Sequence, residues 1–383
     1  METKIKSKAL EEFIEATNTL ANPAIRSWRE QGGKVMGTYC SWTPEEMFTA
    51  AGLVPFRIRG TGSTETELAD AYLSSINCSF PRYSFNLALR GDYDFLEGVV
   101  FINTCDHVRR VYDNWIRKVK TPFVHLLSLP KKTGEPQVEW YRDELANLRQ
   151  SLGKHLGVEI TDERLWEAIK LHNEMRRLQR KLYDLRKVKS PPITGAETLA
   201  VMVAGTAMPT ERYNQLLTEL LDEISGLDGI ADYRARLMIV GGVLDDPEYV
   251  KVIEDQGGLV VTDSLCFGSR ITWVDVDERA SDPITALARY HIQERPSCPR
   301  MFGDYQRRLD FVMDMIREFK VDGVVGERLM FCDFWTGDHY MLDKDFKKEG
   351  IPFLRLDREC LLSGIGQLRT RVQAFLETIE GGK

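Results

Sequence analysis

The sequence predicts an α/β protein: two Rossmann-like parallel-sheet domains with a helical layer, and a cluster site between them. Residues 99–107 (Val-Val-Phe-Ile-Asn-Thr-Cys-Asp-His) and 322–333 (Asp-Gly-Val-Val-Gly-Glu-Arg-Leu-Met-Phe-Cys-Asp) are apolar runs of strand length that end in Cys-Asp. Strand-like and helix-like runs alternate on both sides of a long helical stretch, which implies mostly parallel sheets with helices on both faces. Ligand chemistry in such sheets gathers outside the carboxyl ends of the strands. Both Cys-Asp pairs fall there, so a metal cluster shared by two half-molecules is the expectation.

Residues 9–31 read as one helix, with Leu10, Phe13, Ile14, Leu20 and Ile25 on its apolar side and Gly32-Gly33 as its stop. Residues 34–39 read as the first strand, followed directly by Cys40. Thr43 is the expected N-cap of the next helix, with Pro44 in its first turn and Glu45 and Glu46 near its positive end. That helix stops at Gly52, and residues 54–59 read as the second strand. Loop 60–67 is small and hydroxyl-rich but carries neither a Walker nor a dinucleotide fingerprint. A plain surface loop is the simpler reading. Cys78 lies near a helical stretch running towards Arg90, and the strand before Cys105 and one in 121–127 complete this unit.

From 140 to 189 the period is helical: Leu165, Ile169, His172, Met175, Leu178, Leu182 and Leu185 recur at three- and four-residue spacing. Thr161-Asp162 caps the front and Pro191-Pro192 closes the back. His172 on this stripe reads as a packing residue. The second unit has a strand at 236–240 leading into Gly241-Gly242, and a crossover helix from Asp246-Pro247-Glu248. A strand at 259–261 leads to Cys266, a helix spans 305–320, a strand ends at Cys332, and strand 352–356 precedes Cys360 and a terminal helix. The expected domains are 1–135, α/β with an N-terminal helix; 136–230, a helical linking region; and 231–383, α/β with a C-terminal helix.

Hydrophobic residues make up 43% and charged residues 28% of the 383, the balance of a soluble globular protein. No apolar run is long enough to span a membrane, and residues 1–10 lack the apolar core of a signal peptide. The expected location is cytoplasmic. A net charge of -7 argues against a sequence-independent nucleic-acid binder. The basic residues of 176–189, with Asp184 among them, read as a solvated helical face.

Seven cysteines, an odd number in a long chain, argue against a disulfide framework. No Cys-x-x-Cys pair occurs, which excludes a zinc ribbon or a compact ferredoxin motif. Cys40, Cys105, Cys266, Cys332 and Cys360 all follow predicted strands, so they would crowd one edge near helix N-termini. Amides and helix dipoles stabilise thiolates there, and Asp106 and Asp333 would orient donors around them. A cluster with fewer than four thiolates leaves an iron open to a carbonyl or hydroxyl.

Residues 37–47 (Gly-Thr-Tyr-Cys-Ser-Trp-Thr-Pro-Glu-Glu-Met) with 50–55 (Ala-Ala-Gly-Leu-Val-Pro) resemble the 2-hydroxyacyl-CoA dehydratase/benzoyl-CoA reductase family. So do Asp70-Ala-Tyr-Leu-Ser-Ser-Ile-Asn-Cys78, Thr104-Cys-Asp106, Asp322-Gly-Val-Val325, Phe331-Cys-Asp333 and Gly366-Gln-Leu-Arg-Thr-Arg-Val372, in family order over nearly the whole chain. The resemblance implies a cluster-bearing subunit paired with a homologous second cluster-bearing subunit. It also implies acyl-CoA as substrate and a separate ATP-hydrolysing iron-sulfur activator. The chain has no P-loop, so ATP would enter only through that activator. Carried over position by position, the resemblance implies Cys78, Cys105 and Cys332 as the ligands of a 4Fe-4S cluster, with a non-cysteine group at the remaining iron.

Two reactions share the family scaffold: reductive dearomatisation of an aromatic acyl-CoA, and radical elimination of water from a 2-hydroxyacyl-CoA. The run from Asp70 through Cys78 to Arg82, with Cys105-Asp106, is slightly closer to the aromatic reductases. The benzoyl-CoA reductase type is therefore the expectation and the dehydratase the alternative. A double-cubane relative would carry another cysteine after the first strand of the second domain. Residues 240–243 read Val-Gly-Gly-Val, which disfavours that reading although Cys266 and Cys298 match it. Glu46 is the candidate proton donor, against an equally good reading as an acid at a helix N-terminus. His107 and His339 follow the cluster-bearing strands and are weaker candidates. Cys40, Cys266, Cys298 and Cys360 read as packing or supporting residues. The non-enzyme readings are an electron-transfer scaffold and a metal-free small-molecule binder with buried thiols.

Overall fold

The computed structural model describes residues 6–382; residues 1–5, part of the stretch read for a leader, and Lys383 lie outside them. Among the described residues eight strands form two four-stranded sheets, parallel throughout. β1 (Lys34–Thr38), β2 (Leu53–Arg57), β3 (Gly98–Ile102) and β4 (Phe123–Leu127) lie in the order β2-β1-β3-β4. β5 (Ala235–Gly241), β6 (Gly258–Ser264), β7 (Gly323–Leu329) and β8 (Phe353–Arg358) repeat that plan as β6-β5-β7-β8. Strand order therefore reverses between β1 and β3 and again between β5 and β7, the positions where open α/β sheets open a crevice.

Both sheets are covered on both faces, and the strand sequences show why. In β3, Val99 and Phe101 join one apolar cluster while Val100 and Ile102 join another, since successive side chains point to opposite faces. Phe101 stacks on Tyr39 at 4.5 Å and meets Trp115 edge-on at 5.4 Å. Burying an aromatic ring of this kind contributes about 2–3 kcal/mol. In β5, Leu237 and Ile239 face one layer and Met238 and Val240 the other. Apolar residues on both sides give the continuous runs expected of buried parallel strands.

The helix Glu135–Leu156 turns Tyr141, Leu145, Leu148 and Leu152 onto the first sheet. The next helix, Asp162–Asp184, is capped by the Thr161 side chain, as the sequence predicts. With Gly195–Ala204 and Thr210–Ile224 it completes the helical layer. The single helix expected over 9–31 is instead two, Lys8–Asn18 and Pro23–Glu30. Asn22 caps the second one and Pro23 stands at its first turn, so no helix runs through this point. The first of the pair packs Phe13 against Tyr213 of the helical layer.

Two further differences matter for the site. Thr43 is not a helix cap: the helix begins at Glu46, and the buried Thr43 hydroxyl has no protein partner among the described residues. The sequence pattern also gives no sign of a helix, Pro283–Arg289, continued as a π-helical turn, Tyr290–Glu294. Val276, Ile284, Leu287, Ile292 and Met301 of this segment enter the core beneath the first sheet. Chain order therefore does not match packing there. Among the described residues no helix is long and apolar enough to cross a membrane.

Candidate functional site

Cys105 follows β3 and is the N-cap of the helix Asp106–Lys118. Cys332 follows β7, past Phe331 with its left-handed backbone at φ 64°, and is the N-cap of Asp333–Lys348. Cys78 is the N-cap of Ser79–Arg90. At none of the three does the side chain cap its own helix. Stability would place Ser, Thr, Asp or Asn at such positions. A cysteine at all three directs three helix N-termini at thiols, and the backbone amides of Phe80 and Trp335 act to lower the Cys78 and Cys332 thiols against the rise from burial.

These three cysteines line one cavity of about 280 Å³ at the paired switch points, with Cys40 and Cys266 on its wall. Burial pushes the Cys78 thiol well up, helped by the neighbouring Cys332. Burial raises Cys332 as well, opposed by the Arg300 guanidinium. Arg300 is a half-buried charge on the cavity wall, and Cys298, Cys105, Cys40 and Cys332 all raise its affinity for its proton. Lys131 donates its Nζ to the carbonyls of Asn103 and Thr104, the latter at 3.2 Å. His107 accepts the Cys78 backbone N–H on Nδ1 at 3.2 Å.

Two further thiols follow, Cys266 on this wall and Cys298 behind it. Arg270 donates to Cys266 Sγ at 3.1 Å, and Trp42 Nε1 donates to Cys298 Sγ at 3.4 Å. Burial raises Cys298, but Arg300 and Arg270 outweigh it and bring it down to about 7. Cys360 departs from the expected crowding. It faces a separate cavity of about 550 Å³ beside Gly60 and Asp245, because its loop is tied back by its N–H to Ser79 Oγ at 2.8 Å.

Glu46 does not line the cysteine cavity. It is 1% exposed and paired with Arg176. Burial raises its carboxyl, but Arg176, His172 and His291 together bring it down to about 2. His172 packs as expected and pairs with Thr49 Oγ1 at 2.9 Å. His339 is buried between Trp335 and Phe353, away from the cavity wall. Arg300 and Lys131 give no signal in the sequence, because lone cations in loops follow no period, and Arg57 at the end of β2 reads only as a strand residue.

Among the described residues no three His, Cys, Asp or Glu side chains converge on a point that would hold a single metal ion. A four-iron cluster makes a different demand, since each thiolate binds its own iron. Three thiols spread around one cavity, beside two half-buried cations, Arg300 and Lys131, that offset thiolate charge, fit that demand.

Fold and site together define a class: paired parallel α/β sheets that share a thiol-lined cavity at their switch points. The chain belongs to the family described as 2-hydroxyglutaryl-CoA dehydratase, D-component, whose model matches residues 40–379. It is 26% identical to the (R)-phenyllactyl-CoA dehydratase beta subunit of Clostridium sporogenes, over 96% of this chain and 98% of that one. It is 27% identical to a benzoyl-CoA reductase subunit of Thauera aromatica, over 93% and 94%. It is 23% identical to the (R)-2-hydroxyglutaryl-CoA dehydratase beta subunit of Acidaminococcus fermentans, over 97% and 99%. As a family member the chain is a subunit of the dehydratase/reductase type.

Proposed function

We propose that this chain is the cluster-bearing subunit of an acyl-CoA enzyme, with Cys78, Cys105 and Cys332 as ligands of a 4Fe-4S cluster. The observation that supports it is the set of three uncapped helix N-cap cysteines around one cavity. Bound there, a cluster would supply one-electron and Lewis-acid chemistry to the acyl group. The chain's own residues do the rest. Arg300 and Lys131 offset the thiolate charge, and His107 holds the backbone at Cys78. A cavity of about 280 Å³ suits the acyl end of a thioester rather than the whole coenzyme.

Of the two reactions, elimination of water from a 2-hydroxyacyl-CoA is the leading reading, since the family model and two of the three relatives carry dehydratase names. Reduction of an aromatic acyl-CoA is the second reading, favoured by residues 70–82 and by the reductase relative. A homologous partner subunit and an ATP-hydrolysing activator belong to the same proposal.

Anaerobic purification with iron and acid-labile sulfide counted per chain tests it. About four of each is expected; none after reconstitution would leave a metal-free binding protein. Assay of 2-hydroxyacyl-CoA against benzoyl-CoA, with the partner and activator present, then separates the two reactions.

A further inference from the structure

Behind the cysteine cavity lies a small polar chamber of about 40 Å³. Ser41 and Arg57 stand on the walls of both spaces. The chamber is also lined by Thr43, Glu45, Glu46, Arg176, His291 and Arg295, a denser set of polar groups than its volume would suggest. Most of these are spoken for. Arg176 pairs with Glu46, Arg57 donates to Glu45 at 2.7 Å and to the Cys266 carbonyl at 2.7 Å, and Arg295 donates to Ser41.

His291 is the exception. It is 3% exposed, and neither ring nitrogen has a protein partner among the described residues. The Thr43 hydroxyl and the Nε groups of Arg57 and Arg295 share that condition. Buried polar groups are paired in the great majority of cases, with protein or with ordered water. His291 also sits on the π-helical turn Tyr290–Glu294, a bulge that proteins favour at functional sites. Trp42, Tyr141 and Tyr290 close around its ring, leaving the chamber as its polar outlet.

We propose that this chamber holds a short file of ordered water, positioned by His291 and Thr43, that passes protons into the cysteine cavity at Ser41 and Arg57. The volume admits about two or three waters, and each finds the two to four polar partners it needs. A neutral imidazole takes a proton from one water on one ring nitrogen and releases its own proton from the other nitrogen to the next water. No charge accumulates, and solvent supplies the proton that a leaving hydroxyl or a reduced acyl group takes up. The demand for that proton rests on the acyl-CoA reading; the wet chamber does not. The paired, ionised Glu46 holds no proton to give, so His291 takes the place expected of it.

The test has two arms. A high-resolution crystal structure of the protein should show waters bonded to His291 and Thr43; a dry chamber overturns the proposal whatever the protein catalyses. In the activated complex, His291→Phe should keep its iron content and KM, lower kcat about a hundred-fold and enlarge the solvent deuterium isotope effect. His291→Gln should recover part of the loss. Unchanged kcat and isotope effect in a folded His291→Phe protein overturn the relay. Should that variant fail to fold, Thr43→Val puts the same question. Absence of wild-type turnover with a wet chamber counts against the acyl-CoA reading alone.

Discussion

At the switch point of the first sheet, Cys40 stands behind β1 and Cys105 behind β3; at the matching point of the second, β5 ends at Gly241, its loop begins at Gly242, and Cys332 stands behind β7. A Cβ on Gly242 would meet Trp335 Nε1 at 2.9 Å. The second half thus gives up a side chain so that its loop can lie against the helix that Cys332 begins. The same strand order yields a thiol-rich rim in one half and a close-packed one in the other. Each half also carries a buried glutamate in an ion pair: Glu46 of the first with Arg176 of the helical layer, and Glu327 of the second with Arg358 of the same sheet, at 2.7 Å.

Buried glutamates take the comparison further. Burial raises both Glu46 and Glu254, but Glu46 faces a guanidinium and falls to about 2. Glu254 accepts the backbone N–H groups of Gly195, Ala196 and Val260, and burial still takes it up to about 7. A guanidinium bonded directly to the carboxylate overcame desolvation at Glu46, where backbone dipoles and the weaker pull of Arg186 did not at Glu254.

The largest expected effect breaks the site in either half. Cys105→Ala and Cys332→Ala should each abolish most of the iron bound per chain, whereas Cys360→Ala, facing the other cavity, should leave it unchanged. Full iron content in Cys332→Ala would confine the site to one half.

Next come the ion pairs. Arg176→Met and Arg358→Met each leave a buried carboxylate unpaired and should cost about 3–5 kcal/mol in urea unfolding. A much smaller loss in one half would show that its pair is open to water.

The smallest effect is a pH dependence. Glu254 ionises in the unfolded chain near its ordinary 4.5 but in the folded chain near 7. Its contribution is therefore complete below 4.5 and is lost as pH rises through about 7, up to about 3 kcal/mol. Glu254→Gln should flatten the stability profile across that window. Glu46 has the opposite sign, and its contribution fades only as pH falls below its ordinary value of 4.5 towards 2. An unchanged profile in Glu254→Gln would mean that its carboxylate is ionised throughout.

The sequence by itself determined the α/β class, the strands and the position of Cys105 and Cys332 at strand ends. These rest on local rules: apolar runs of strand length, helix caps such as Thr161, and short connections between parallel strands. Family motifs added Cys78, whose place on the rim no periodicity reveals. What only the tertiary structure decided lies where distant segments meet. Arg300, Lys131 and His291 reach the two chambers from loops and a π-turn, and Val276–Met301 crosses beneath the first sheet. Cys360 turned away although it follows a strand as Cys105 does, because a hydrogen bond to Ser79, far off in the chain, holds its loop. Burial and charge pairing depend on what folding brings alongside, and that is why Glu46, an acid near a helix start in the sequence, became a fixed carboxylate in a buried pair.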